Sequence, residues 1–287
     1  MMLFYTMLIS KMNIDALELG RRSEYDMYYN PNKLLAIPRL EKRLEIGIYP
    51  TQNLPFFGHD TWNHYEVSWL NPKGKPMVAI ATIAYDCHSS HIIESKSMKL
   101  YFNSFNHTKL NSIEELEQTV SKDIQDRIHS AVKVKVMPLH HAISHQVIVN
   151  LQGTCIDALD IQCQDYMVNP QLLKTLPVMV EETLHSNLLK SNCLVTLQPD
   201  WGSIEISYKG HQIDHASLLQ YLVSFRNHNE FHEQCIERIF VDISQQCQPE
   251  KLSVYGRYTR RGGIDINPFR SSEENHFIAP QHRLIRQ

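Results

Sequence analysis

The sequence predicts an α+β protein made of two tandem copies of one ββααβ unit, in which antiparallel sheets are backed by helices. Three observations lead to this prediction. The chain of 287 residues is long enough for two modest modules with a substantial buried core. Strand-like alternation and helical periodicity follow each other in the same order in both halves. Similar short segments also recur at a nearly constant offset.

The first half opens with residues 12–62, which are rich in Tyr, Asn and Pro and are predicted to be an irregular lead-in. Ser112 and Glu115 have the spacing of a capping box and mark the start of a helix. The predicted elements are strands at 65–69 and 77–85, helices over 94–105 and from Ser112, and a strand at 132–137.

The second half repeats this order. Asp214 and Asn229 are predicted to cap its two helices, because Asp and Asn accept hydrogen bonds from the first helical N–H groups. The predicted elements are strands at 193–197 and 203–208, the two capped helices, and a closing strand at 251–258.

The repeat can be checked by subtraction. Residues 104–105 recur at 224–225 with an offset of 120, and residues 123–124 recur at 242–243 with an offset of 119. Chance matches would scatter these offsets far more widely, so a duplicated unit is the better explanation.

The two modules are assigned to residues 1–143 and 144–287, with the link near 139–149. Residues 1–11 are predicted to be a non-native or disordered extension. They are apolar but too short to span a bilayer, and they lack the features of a signal peptide.

Composition excludes several classes of function. The net charge of −3 gives no overall basic field for nucleic acid or anionic membranes. The six cysteines contain no C-x-x-C pair and are interpreted as reduced thiols of a cytoplasmic protein.

The stretch SNCLVTLQPDWGS (191–203) carries the strongest chemical signal. Cys193 and Asp200 could face one pocket from the two sides of a short bend. A thiolate can attack an electrophilic carbon, and a nearby acid can supply the proton that the adduct needs. The first half offers no such pair but has Glu94-Ser95-Lys96-Ser97, and the second half adds His232-Glu233. Because each copy has what the other lacks, we expect one site at the junction between the copies.

Four stretches together resemble the NADPH-dependent 7-cyano-7-deazaguanine reductases, the nitrile reductases of queuosine biosynthesis, a tRNA-modification pathway. They are IIESKSMKLYFNSFN (92–106), SNCLVTLQPDWGS (191–203), SFRNHNEFHEQC (224–235) and LSVYGRYTRRGGIDINPFRS (252–271). The likeness covers nearly the whole chain after about residue 13 and is to the long, two-module type. It implies tunnelling-fold (T-fold) modules, a cytoplasmic homodimer, and four-electron reduction of a nitrile to a primary amine by two NADPH.

The resemblance also implies roles for individual residues. Cys193 is the nucleophile that forms a covalent thioimide, and Asp200 is the general acid, which Pro199 and Trp201 could surround with an apolar wall. Its catalytic and substrate-binding set is Cys193, Asp200, His232, Glu233, Glu94, Ile93 and Ser95. In this set Glu233 and Glu94 accept hydrogen bonds from the deazapurine base, and His232 binds substrate and helps to move protons.

For the cofactor, the likeness points to Ser95, Lys96, Arg261 and Gly262. Ser95 and Lys96 stand at a predicted helix N-terminus, where phosphate groups bind readily. The sequence has no G-x-G-x-x-G after a strand, so it does not support a Rossmann site. No metal is expected.

Simpler explanations exist for each of these residues. Cys193 could be an inert buried thiol and Asp200 an ordinary turn aspartate. Glu233 could be a solvent-facing charge at a helix start, and the basic loop around Arg261 could be solvated.

Two other functions remain open. One is a zinc hydrolase of the same fold, resembling GTP cyclohydrolase, with Cys193, His232 and Cys235 as ligands. The other is a non-catalytic binding module for purine-like ligands. Three histidines near the link, His140, His141 and His145, also suggest a metal site, but a polar connector is preferred because no carboxylate or cysteine stands close by.

Overall fold

The structure is a computed structural model, and it describes residues 25–142, 147–274 and 282–287. These ranges contain eleven strands and six α-helices. The strands are β1 (Ala36–Pro38), β2 (Phe57–Leu70), β3 (Pro76–Asp86), β4 (His91–Ile93), β5 (Val132–Pro138), β6 (Thr154–Cys155), β7 (Thr175–Ser186), β8 (Lys190–Asn192), β9 (Pro199–Ile213), β10 (Lys251–Tyr258) and β11 (Ile264–Ser271). The helices are α1 (Leu40–Glu45), α2 (Ser95–Asn103), α3 (Ile113–Ile128), α4 (Leu139–Ala142), α5 (His215–Val223) and α6 (His232–Cys247).

Nine of the strands form one sheet in the order β5-β3-β2-β11-β10-β9-β7-β6, with β8 paired to β9. The pairings are antiparallel, except that β6 runs parallel to β7. The two halves meet where β2 pairs with β11, with Thr61 opposite Asn267. A separate ribbon of β1 and β4 lies outside this sheet.

The predicted fold class is confirmed. The first half runs β2, β3, α2, α3, β5, and the second runs β7, β9, α5, α6, β10, followed by β11. Two predicted caps are also present. Ser112 accepts a hydrogen bond from the Glu115 N–H at 3.2 Å, and Asp214 accepts one from the Ser217 N–H at 2.7 Å.

Three predictions about elements are wrong. Residues 193–197 form a turn and not a strand, and the first long strand of the second unit is β7, which pairs with β9. Residue 231, not Asn229, is the N-cap of α6, because the Asn229 side chain accepts a hydrogen bond from the Asn192 amide at 3.0 Å. The lead-in is also more ordered than predicted, since it contains β1, α1 and the beginning of β2.

The duplication is visible in matching hydrogen bonds. Tyr101 donates to Asp123 at 2.6 Å, and Tyr221 donates to Asp242 at 2.7 Å. Each bond joins the first helix of its unit to the second, at the offsets found in the sequence. The proposed division after residue 143 and the proposed extension over residues 1–11 lie outside the described residues.

Each half has its own hydrophobic core between sheet and helices. A third, small cluster joins Ile37 and Ile92 of the first half to Val195 and Phe231 of the second, with Leu35 packed beside them. This cluster marks the junction at which the site was expected. Among the described helices, none has both the length and the apolar character required to cross a bilayer.

Candidate active site

Cys193 lies in a tight turn between β8 and β9. Two backbone hydrogen bonds close the turn, from the Cys193 N–H to the Gln198 carbonyl (2.9 Å) and from the Leu197 N–H to the Cys193 carbonyl (3.1 Å). Leu197 has a φ of 57°, in the left-handed region, so the backbone cannot continue as a strand. Because β8 pairs with β9 with Ser191 opposite Asp200, the thiol and the carboxylate belong to one hairpin.

The turn is attached to both halves of the molecule. Val195 packs against Ile37 and Ile92 of the first half and against Phe231, which precedes α6. The N–H of Asn192 donates to the backbone of the segment before α6 at 2.8 Å. The predicted nucleophile therefore lies at the junction, and it is 3% exposed.

Asp200 contacts residues from two other elements. Its Oδ2 lies 3.3 Å from Nε2 of His232, the first residue of α6. Its Oδ1 lies 2.8 Å from Nη1 of Arg261, in the loop between β10 and β11. The structure thus brings together three residues that the sequence assigned to proton transfer and to cofactor binding.

The imidazole of His232 is held in place by an aromatic ring. It stacks on Tyr258 with the ring centroids 3.9 Å apart and the planes 11° from parallel. Gly202 lies opposite Tyr258 in the sheet, and a Cβ at Gly202 would stand 3.3 Å from the Tyr258 ring. The glycine of the PDWG motif therefore leaves room for the ring beneath His232.

The predicted apolar wall around Asp200 is wrong. Pro199 and Trp201 flank Asp200 on strand β9, and adjacent residues on a strand point to opposite faces. Trp201 is 41% exposed, and its ring lies under the guanidinium of Arg226 at 5.7 Å. The environment of Asp200 is therefore set by Arg261 and His232.

Glu233 is fully enclosed in the first turn of α6. Only 2% of it is exposed, and its Oε1 has no hydrogen-bond partner among the described residues. Burial, with a further contribution from the Asp60 carboxylate, raises the pKa of Glu233 to about 7. His232 next to it has a buried Nδ1 that likewise lacks a partner among the described residues. Two adjacent side chains thus offer polar atoms to a ligand.

Behind Glu233 lies a buried ionic cluster that sequence reasoning missed. Glu237 accepts hydrogen bonds from Arg43 at 2.8 and 3.0 Å and from Arg270 at 2.9 Å. Asp60 binds Arg39 at 2.5 Å and Arg270 at 2.9 Å. Burial alone would raise the pKa of Asp60, but Arg270 and Arg39 hold it at about 2. Asp60 therefore stays charged and contributes to the raised pKa of Glu233.

Glu94 caps α2. Its carboxylate accepts hydrogen bonds from the N–H groups of Lys96 (2.9 Å) and Ser97 (2.7 Å), and it is fully buried. Asp214 caps α5 in the same way in the second half. The expectation that the α2 N-terminus offers these N–H groups to a phosphate is therefore wrong, because Glu94 already uses them. Ile93 pairs with β1 and packs in the core of the first half.

A cavity of about 150 Å³ opens beside His232. It is lined by residues from α2, from the start of α6, and from the loop and strand that follow β10. They are Ser95, Lys96, Lys99, His232, Arg261, Gly262, Ile264 and Ile266. All four residues predicted to bind the cofactor therefore line one cavity, which spans both halves of the chain.

The cavity suits part of a phosphate-bearing dinucleotide. Lys96, Lys99 and Arg261 supply positive charge, and a guanidinium can bind phosphate through two parallel hydrogen bonds. The enclosed volume is below the 300 Å³ or so of pockets for drug-sized ligands, so most of a dinucleotide would extend beyond it. Sequence reasoning missed Lys99, although its i, i+3 spacing from Lys96 could have indicated it.

The zinc set of the alternative hydrolase is not assembled. In the described ranges, the one group of three candidate ligands with atoms within 4.8 Å of one another is Asp86, Cys87 and His88, and not Cys193, His232 and Cys235. Cys235 is fully buried, and burial raises the pKa of its thiol to about 12. His145, from the other suggested metal site, lies outside the described residues.

Comparison with known proteins gives a consistent result. A family model described as "Nitrile reductase, 7-cyano-7-deazaguanine-reductase N-term" matches residues 25–136, and one described as "QueF-like protein" matches residues 199–276. The NADPH-dependent 7-cyano-7-deazaguanine reductase of Legionella pneumophila (strain Lens) is 60% identical over 270 residues, which are 94% of each chain. The protein of that name from Dechloromonas aromatica (strain RCB) is 54% identical over 271 residues, again 94% of each chain.

The family models match parts of both halves, and the relatives align over 94% of the chain. On this evidence, the chain belongs to the family of NADPH-dependent 7-cyano-7-deazaguanine reductases.

Proposed function

We propose that this protein reduces 7-cyano-7-deazaguanine to 7-aminomethyl-7-deazaguanine with two NADPH, through a thioimide on Cys193. The observation that carries the proposal is the position of His232. Its imidazole contacts Asp200 at 3.3 Å and lines the cationic cavity, so the proton-transfer group and the cofactor residues form one site.

The first step is the addition of the Cys193 thiol across the nitrile. The S–C bond forms, one C–N π bond breaks, and the nitrile nitrogen gains a proton from Asp200. The thiol passes its own proton to Asp200, so the addition releases no proton to solvent. An unperturbed thiol has a pKa of about 8.5, so a nearby group that accepts its proton raises the reactive fraction.

Reduction requires four electrons and two protons. Two NADPH would supply the electrons as hydrides, and the S–C bond must break during the reduction, so that the Cys193 thiol is regenerated and the amine leaves. Lys96, Lys99 and Arg261 would bind the phosphates of the cofactor, and Ser95 and Gly262 would line its site. His232 would move protons to the nitrogen. Its Nε2 contacts Asp200, and its Nδ1 has no hydrogen-bond partner among the described residues.

Glu233 recognises the base in this proposal. The deazapurine ring N–H and exocyclic amine are donors, and the Oε1 of Glu233 is a buried acceptor without a partner among the described residues. Glu94, from the first half, is the second acceptor in this proposal, with its carboxylate at the N-terminus of α2. Ile93 adjoins it. The homodimer and the cytoplasmic location, both implied by the family likeness, stay predictions.

Incubation with 7-cyano-7-deazaguanine tests the proposed reaction directly. We expect the intact mass to rise by the mass of one nitrile molecule, with the addition on Cys193 in a peptide map. With NADPH present, two NADPH should be consumed for each amine formed. A ratio of one, or an addition on the exposed Cys155, would contradict the proposal.

Glu233 predicts a pH dependence of substrate binding. Its carboxylate must be ionised to accept both hydrogen bonds, and its pKa is raised to about 7. In a Cys193→Ala background, nitrile affinity should therefore increase about tenfold per pH unit as pH rises toward 7, and then level off. Glu233→Gln should bind about 10- to 100-fold more weakly at pH 8 and lose this dependence. Calorimetric titrations from pH 5.5 to 8.5 measure the nitrile affinity. If the affinity of the Glu233→Gln variant changes with pH as that of the protein with Glu233 does, Glu233 does not recognise the base.

A further inference from the structure

Both oxygens of Asp200 are engaged. Arg261 Nη1 lies 2.8 Å from Oδ1, and His232 Nε2 lies 3.3 Å from Oδ2. Asp200 is 6% exposed, so bulk water does not surround the carboxylate. A carboxyl group that passes a proton between a thiol and a nitrile nitrogen needs an oxygen that can reach both. Withdrawal of one of the two partners would free an oxygen for this exchange.

His232 is the partner that is held in place. Its ring stacks on Tyr258, which is fully buried, and the His232 side chain is 14% exposed. It also stands at the first position of α6, which is anchored through the core of the second half. Displacing His232 would break the stacking contact.

Arg261 is the partner that can move. Its side chain is 39% exposed, and it lies at the hairpin between β10 and β11. The backbone there is fixed by two hydrogen bonds between Arg261 and Ile264, at 2.9 and 3.2 Å. The guanidinium can therefore change partner by side-chain rotation alone, with no change in the fold.

The alternative partner would be in the cavity, which Arg261 lines together with Lys96 and Lys99. A phosphate there would compete with Asp200 for the guanidinium, and phosphate oxygens accept bidentate hydrogen bonds from arginine. Lys99 is paired with Glu66 at 3.3 Å, so a phosphate in the cavity would compete with a carboxylate for Lys99 as well as for Arg261.

We propose that Arg261 is a positioning residue that moves from Asp200 to a phosphate of the bound dinucleotide and thereby releases Oδ1 for proton transfer. This inference rests on the proposed function. Binding of the dinucleotide would thus prepare Asp200 for catalysis through the movement of one side chain, that of Arg261.

The test measures thioimide formation, which requires no hydride. The nitrile is mixed with the protein in a stopped-flow instrument, and adduct formation is followed by absorbance and quenched intact mass. Adenosine 2′,5′-bisphosphate and ADP are the probes, because they carry phosphates in different positions and cannot reduce the nitrile. Adenosine, at matched ionic strength, is the uncharged control.

We expect a saturating phosphate probe to accelerate wild-type adduct formation by about tenfold, the size of one charge-assisted contact, with no effect of adenosine. A response to either probe supports the proposal and shows which phosphate Arg261 meets. Arg261→Gln should form the adduct quickly without a probe and should not respond to one. Arg261→Lys should keep part of the response, since an ammonium can also change partner.

Arg260→Gln is the matched control, because it removes the same charge from the same loop. Arg260 is exposed and lies over the Tyr65 ring at 4.6 Å, away from the lining of the cavity. Its rate and its probe response should remain those of the wild type. If wild-type adduct formation ignores both probes, or if Arg260→Gln behaves like Arg261→Gln, the proposal is wrong. If the wild type forms no adduct at all, the proposed function itself fails.

Discussion

The Cys193→Ala protein is expected to bind 7-cyano-7-deazaguanine and to form neither adduct nor amine. The thiol is the only atom group that the proposed mechanism joins covalently to the substrate, whereas recognition depends on Glu233 and Glu94. Turnover should therefore fall by at least about 10⁴-fold, since loss of a nucleophile removes the whole covalent route. Affinity should change little, because only a sulfur atom in a 3% exposed side chain is removed.

The control is Cys155→Ala. Cys155 is exposed and lies on the short strand β6, so its removal should leave adduct formation and turnover unchanged. Intact mass, calorimetric binding and NADPH oxidation are measured on both variants. Retention of more than about 1% of turnover by Cys193→Ala would exclude a thioimide route. Loss of nitrile binding by Cys193→Ala would instead show that the thiol is needed to bind the substrate.

The fold was predictable where a segment carries its own local signal. The capping box at Ser112 and the cap at Asp214 satisfy helix N–H groups within the same few residues, so the sequence alone is sufficient. Strand β7 was missed because most of its first half is exposed, and an exposed strand lacks the alternation that reveals a buried face. Helix α1 has six residues, too few for a periodic pattern.

Apolar composition was misleading around Cys193. The run after Asn192 is apolar enough for a strand, but Val195 is used for packing at the junction and Leu197 adopts a left-handed backbone. Asn229 has the chemistry of a helix cap, yet its oxygen is used by Asn192. In both cases a partner distant in sequence decided the local structure.

The members of the site were predictable from motifs, but their contacts were not. Arg261 was assigned to the cofactor and Asp200 to proton transfer, and the structure shows them 2.8 Å apart. The two are about 60 residues apart along the chain, and the pairing of β9 with β10 brings them together. The electrostatic environment of Glu233 likewise depends on Asp60, from the other half of the chain.

The buried ionic cluster is the clearest case of a feature beyond local signals. Arg39 and Arg43 come from the segment predicted to be irregular, and their partner Glu237 is almost 200 residues away. Arg43 and Arg270 also lie over the ring of Phe56, at 5.8 and 5.5 Å. The cluster thus joins α1, β2, β11 and α6 at the back of the site, and we infer that it fixes the two halves in register.

Glu237→Gln is therefore expected to destabilise the protein by about 3–5 kcal/mol. The variant leaves three buried arginines with Asp60 as their one remaining carboxylate in the cluster, and an uncompensated buried charge costs about this much. Thermal unfolding should shift downward by about 10 °C for a chain of this size. The control Glu273→Gln breaks an exposed pair with Lys251 at 2.8 Å and should cost less than about 1 kcal/mol.

The pH dependence of this stability gives an independent check. Burial opposes ionisation of Glu237, but Arg270 and Arg43 hold its pKa below the usual value of 4.5. A lowered pKa in the folded state means that the contribution is complete above about pH 4.5 and is lost as pH falls through the folded value. The difference in unfolding free energy between wild type and Glu237→Gln should thus be largest near neutrality and shrink in acid. If chemical denaturation shows equal stability of Glu237→Gln and Glu273→Gln at pH 7, the cluster does not hold the two halves together.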